Sequence, residues 1–180
     1  MSSNIWHFDN TYKSNLLTLV ARFLLVSLNI DAILEEVTIY NRREKLEEMT
    51  KGKGLGDAYT ATLTRIQSQN GSKSRLGMEA LMWISHSERP LEALELCQAL
   101  GVERGKTDQN ALNVPAIETV LRCSLGLITI EASSSTVRLI HFTLQEHLSN
   151  ASSLFHNPHS MMAEVCLTFL RKGEVSSRLI

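Results

Sequence analysis

The most apolar stretch of the chain is Leu16-Leu17-Thr18-Leu19-Val20-Ala21-Arg22-Phe23-Leu24-Leu25-Val26-Ser27-Leu28. It falls short of the ~20 residues a membrane-spanning helix needs, and Arg22 lies in its middle. The pattern predicts a buried helix that continues through Ile30, Ile33 and Leu34. Residues 35–53 then mix both charge signs with few apolar anchors. Arg43 and Glu47, one helical turn apart, are the kind of pair that supports a solvated helix. Gly52, Gly54 and Gly56 interrupt regular structure, so a domain border is expected there.

Beyond the glycines the apolar period is helical. Tyr59, Leu63 and Ile66 mark one helix, and Leu76, Ala80, Trp83 and Ile84 fall on one face of the next. Pro90 is expected in the first turn of a third helix. Leu91, Leu94, Cys97 and Leu100 would form its buried stripe, with Gly101 ending it. After a polar loop, Pro115 opens a short helix with Ile117, Val120 and Leu121 inward. The period then changes. Residues 127–131 and 136–140 are rich in β-branched residues, and Ala132-Ser133-Ser134-Ser135 joins them as a four-residue hairpin turn. Helices followed by a hairpin give the order of a winged helix. Thr143-Leu144-Gln145-Glu146 has the spacing of a capping box, which predicts a helix from about Leu144 with Thr143 as its cap. His141 would end the second strand, on the face of Val137 and Leu139. The expected fold class is therefore mainly α with a small β-hairpin, a winged-helix domain flanked by helices.

Composition narrows the function. The chain has 180 residues, 43% of them hydrophobic and 21% charged, with a net charge of −1 from 18 Lys+Arg and 19 Asp+Glu. A general nucleic-acid binder needs a clear basic excess. The helix before the hairpin offers Arg122 against Glu118, and the turn 132–135 offers no base. Cys97, Cys123 and Cys166 are widely spaced in apolar surroundings and are expected to be buried in a reducing compartment. No secretory signal is legible, so a cytoplasmic location is expected. His156 and His159, separated across Pro158, lack a third metal ligand nearby. No G-x-S-x-G elbow accompanies Ser134 or Ser135, and His141 has no evident catalytic partner. The chain is expected to be no enzyme, with no catalytic residues, no metal and no cofactor of its own.

The stretch Val137-Arg138-Leu139-Ile140-His141-Phe142-Thr143-Leu144-Gln145-Glu146 resembles the V-R-L-[VI]-H-x-[ST]-x-Q-E signature of the winged-helix domain in fungal NACHT proteins. These are relatives of NOD-like receptors among the STAND NTPases, usually carrying ankyrin repeats. The domain is also known as the GPI inositol-deacylase winged-helix type. Collinear likenesses support it. Ala21-Arg22-Phe23-Leu24-Leu25 and Asp31-Ala32-Ile33-Leu34 are similar to the last helix before that domain. Ala58-Tyr59, Leu63, Arg65-Ile66 and Gln69 resemble its A-Y-x-x-x-L-x-R-I-x-x-Q helix. Trp83-Ile84 with Arg89-Pro90-Leu91 and Glu95-Leu96 resemble W-[IL]…R-P-L-x-x-x-E-L. Cys123-Ser124-Leu125-Gly126-Leu127 resembles C-x-G-L before the hairpin, and Cys166-Leu167-Thr168-Phe169-Leu170 resembles C-L-x-[YF]-L. The chain departs at Glu92, where a Thr helix cap is usual and a weaker cap is expected, and at His147, where an aromatic is usual and looser packing against the hairpin is expected. No T-P-L-H-x-A ankyrin signature follows Leu170.

The resemblance implies three regions: 1–56 as the end of a NACHT module plus linker, 57–150 as the winged helix, and 151–180 as a helix leading toward repeats. It implies that His141 touches the phosphates of a nucleotide held by an NTPase domain and stabilises the closed, ADP-bound state. The implied partners are that nucleotide-binding domain, in the same or another chain, and downstream repeats, with neither nucleic acid nor membrane. Gly101-Val102-Glu103-Arg104-Gly105-Lys106-Thr107 has too few residues between its glycines for a P-loop and follows a helix. The chain is thus expected to be the middle of a larger receptor, a non-catalytic regulatory module. The alternatives are a free-standing protein-interaction module using the helix of residues 16–34, and a winged-helix DNA-binding domain.

Overall fold

The computed structural model describes residues 33–50, 54–102, 111–151 and 153–177, together with residues 23, 26–28 and 30. Its contacts divide into two units, residues 1–62 and 63–180. In the first unit, α1 (Ile39–Thr50) is as solvated as its sequence requires. The Thr38 hydroxyl accepts from the Asn41 N–H at 3.1 Å, and the Arg42 guanidinium donates to the Glu36 and Leu34 carbonyls at 2.9 and 3.3 Å. The helix α2 (Leu55–Gln67) begins with the Asp57 carboxylate accepting from the Gly54 N–H at 3.1 Å. That places an acid in the first turn, where the helix end is positive. Ala58 and Tyr59 are buried, and the buried Thr62 hydroxyl is satisfied by the Ala58 carbonyl at 2.8 Å. Most of the apolar stretch from Leu16 lies outside the described residues. Of its described positions Leu28 is buried, whereas Phe23, Val26, Ile30 and Leu34 are exposed. Those four share one helical face, so a wholly buried helix is not what these residues make.

The second unit is built around α3 (Gly71–His86). It contains β1 (Leu91–Glu92), α4 (Ala93–Leu100), a 3-10 turn (Ala111–Asn113), α5 (Ile117–Cys123), β2 (Ile128–Glu131), β3 (Thr136–Leu139), α6 (Phe142–Asn150) and α7 (Pro158–Ser177). α3 packs against α4, α5, α6, α7 and β3. It can do so because small residues lie on its inner face: Gly77 and Ala80 are buried along with Leu81, Met82 and Trp83. Leu96, Val120, Leu127, Val137, Leu144 and Leu148 complete the core. The Cys123 carbonyl, left without a helical partner at the end of α5, accepts from the Gln69 side chain at 2.8 Å.

The hairpin forms as its period predicts. Ile128 pairs with Leu139, Thr129 with Arg138, Ile130 with Val137 and Glu131 with Thr136. Ile128 and Val137 face the core, while Thr129 and Arg138 face water. A third strand, absent from the sequence reading, completes an antiparallel sheet in the order β1-β3-β2. Leu91 pairs with Val137 and Glu92 with Thr136, and the Ala93 N–H donates to the Ser135 carbonyl at 3.0 Å. This corrects the expectation that Pro90 sits in the first turn of a helix. The backbone of Leu91 and Glu92 is committed to β3, so α4 begins at Ala93. The buried stripe moves accordingly: Leu96, Cys97 and Ala99 are inside, and Leu94 is 64% exposed.

Two further corrections concern single residues. Glu92 does not weaken the cap of α4. Its side chain accepts from the Glu95 N–H while the Glu95 carboxylate accepts from the Glu92 N–H at 2.9 Å, a reciprocal capping box. Cys97 and Cys123 are buried as expected, but Cys166 is exposed on α7. Among the described residues, no helix is long and apolar enough to cross a membrane.

Candidate functional site

The junction between β3 and α6 holds the residue singled out by sequence. Ile140 follows the strand, and its N–H donates to the Leu127 carbonyl at 2.9 Å, which ties the junction to the start of the hairpin. His141 follows in an extended conformation, φ −157° and ψ 150°. α6 then begins at Phe142, not Leu144. Its cap is His141, whose Nδ1 accepts from the Thr143 N–H at 3.4 Å and lies 2.8 Å from the Thr143 hydroxyl. The expected capping role of Thr143 therefore passes to the imidazole two residues earlier. An unprotonated ring nitrogen can accept an N–H as a carboxylate or hydroxyl oxygen does.

The rest of α6 anchors this junction. Leu144 and Leu148 are fully buried, and the Gln145 side chain donates to the Ser85 carbonyl at 2.8 Å, near the end of α3. His141 is half-buried and its ring lies 4.4 Å from that of Phe142, which is 56% exposed. Among the described residues, its Nε2 makes no hydrogen bond; only Nδ1 does. The strand end, the helix start and the tie to α3 thus fix a histidine with one nitrogen used internally and, among the described residues, no partner on the other.

The helix that other winged helices place in a DNA groove is α5. Arg122 on it bonds the Thr119 hydroxyl at 3.4 Å, with Glu118 one turn away. On the hairpin, Arg138 is paired with Glu131 at 2.6 Å. The hairpin turn itself is serine: the Ser134 hydroxyl lies 2.7 Å from that of Thr136. Among the described residues of α5 and the hairpin, no basic stripe results.

The structure places one histidine group that sequence spacing did not connect. His86, at the end of α3, lies 5.4 Å ring to ring from His159 at the start of α7, and 5.6 Å from Phe155. Its Nδ1 is held by the Met82 carbonyl at 3.1 Å and the Ser85 hydroxyl at 2.9 Å. Among the described residues, no group of three or more His, Cys, Asp or Glu could hold a metal ion. Burial pushes the Cys97 thiol up, with the Glu118 charge adding to it, which disfavours the reactive thiolate. On the surface, Arg89 forks onto Glu95 at 2.9 and 2.6 Å and draws its carboxyl down to about 2, with the Glu92 N–H as the second cause. The loop carrying Lys106 and Thr107 lies outside the described residues.

Comparison with known proteins agrees with the hairpin and helix order. Residues 63–157, more than half of the chain, match the family described as GPI inositol-deacylase, winged helix domain. No curated protein and no solved structure matches the chain.

Proposed function

This chain belongs to the GPI inositol-deacylase winged helix domain family, and from that premise we propose that it is a non-catalytic regulatory module of a NACHT-type signalling ATPase. It packs on a nucleotide-binding domain, in the same or another chain, and holds that domain closed while ADP is bound. The observation that carries this reading is His141: half-buried, fixed through Nδ1 and, among the described residues, free at Nε2. An imidazole so placed can give one hydrogen bond to a phosphate oxygen and withdraws it when the domain swings away. The near-zero net charge and the paired Arg138 favour a protein partner over DNA. The exposed Leu167 and Leu170 on α7 favour a helix that continues into repeats. The work of such a module is cytoplasmic.

A second reading has its own observation. Phe23, Val26, Ile30 and Leu34 form an exposed apolar face, which suits a free-standing interaction module. Titrating the chain against an isolated NACHT-type nucleotide domain separates the two. Tighter binding to the ADP-loaded than to the ATP-loaded domain is expected; equal affinity for both states, or none, contradicts the regulatory role. A salt-dependent shift with duplex DNA at physiological ionic strength would revive the DNA-binding alternative.

A further inference from the structure

We propose that the backbone N–H of Thr143 locks His141 in the tautomer protonated at Nε2, so that the outward nitrogen is a hydrogen-bond donor only. The backbone geometry carries the argument. The Thr143 N–H is a donor that cannot be reversed, and it points at Nδ1 at 3.4 Å. Nδ1 must then present its lone pair, and the hydrogen of the neutral ring resides on Nε2. The Thr143 hydroxyl, 2.8 Å from the same nitrogen, can donate to it or accept from it and so does not select the tautomer. The ring is further restrained by the Phe142 ring at 4.4 Å.

The lock defines the chemistry of the ligand. A nitrogen that carries hydrogen cannot coordinate a metal ion, because its lone pair lies in the ring π-system. It recognises an acceptor, and a phosphate oxygen is the acceptor that the regulatory reading supplies. That purpose rests on the function proposed above; the lock itself does not.

The test uses the full 180-residue chain and proton–nitrogen correlation spectra of its imidazoles, which report which ring nitrogen carries hydrogen. The wild type is expected to show His141 with hydrogen on Nε2. Thr143→Val, which keeps the side-chain shape and the backbone N–H, is expected to keep the hydrogen on Nε2. A wild-type ring with hydrogen mainly on Nδ1 overturns the proposal even if Thr143→Val does not fold. A folded Thr143→Val chain with hydrogen mainly on Nδ1 also overturns it. ADP release from a receptor carrying the module, wild type against His141→Asn, is the separate arm. If the ring carries hydrogen on Nε2 but release does not change, the lock stands and the phosphate-reading role of His141 falls.

Discussion

Gly77 shows how tightly single positions are specified. A Cβ built on it lies 2.6 Å from the Cys123 carbonyl oxygen and 2.9 Å from Ile66 Cγ2. Alanine would gain up to about 1 kcal/mol of helix propensity. Overpacking against a backbone carbonyl costs about 1–3 kcal/mol, occasionally more. Gly77→Ala is therefore expected to lower stability by roughly 1–2 kcal/mol on balance, read from a lowered urea midpoint. At the surface, the Glu95 carboxyl is drawn down to about 2 from its ordinary 4.5 by Arg89 and by the Glu92 N–H. A depressed folded value means stability that is fully present above about pH 4.5 and lost as pH falls toward 2. Both side chains remain well exposed, at 65% and 37%, so the effect is small. Glu95→Gln is expected to flatten the acid limb of the stability curve between those values, checked by urea midpoints across that range. His141 was legible as a candidate from its sequence neighbours. Its use as a helix cap was not, because Thr143 has the better spacing for a capping box and a histidine cap carries no comparable signature.

At the scale of elements, amphipathic period and turn composition were sufficient wherever an element follows its own pattern. The hairpin of β2 and β3 and the helices α3 and α5 are of this kind, whereas α7 was expected only from its likeness to the family. They failed between Arg89 and Ala93. There, a two-residue strand is stabilised by hydrogen bonds to Val137 and Thr136, far along the chain. Local propensity contains nothing of such a partner. The same non-local pairing moved the start of α4 and turned Leu94 outward. α6 gives a direct test of the revised start. His141→Ala removes its cap and is expected to cost about 1 kcal/mol. His141→Asn is expected to retain most of that stability, because asparagine is a favoured cap. Thermal melts of both variants check this; equal losses would return the cap to Thr143. Leu144→Ala, in the buried face of the same helix, is expected to cost about 2–5 kcal/mol.

The whole molecule is a winged-helix domain with helical flanks. Arg138 is neutralised by Glu131, and the hairpin turn carries hydroxyls in place of bases. Duplex DNA at physiological salt is therefore expected to leave the chain unshifted. The family of the domain was legible in the order and spacing of motifs from Tyr59 to Phe142. The identity of its partner was not, since an interface is specified jointly by two surfaces and one chain supplies only one of them. The central claim is that His141 holds ADP in a neighbouring nucleotide domain. The most direct measurement is the rate of ADP release from a receptor carrying this module, wild type against His141→Asn. The asparagine keeps α6 capped, so folding is not the variable. A hydrogen bond to a charged phosphate contributes about 1.5–3 kcal/mol, so release is expected to quicken by about ten- to hundredfold. An unchanged release rate in the folded variant would contradict the account.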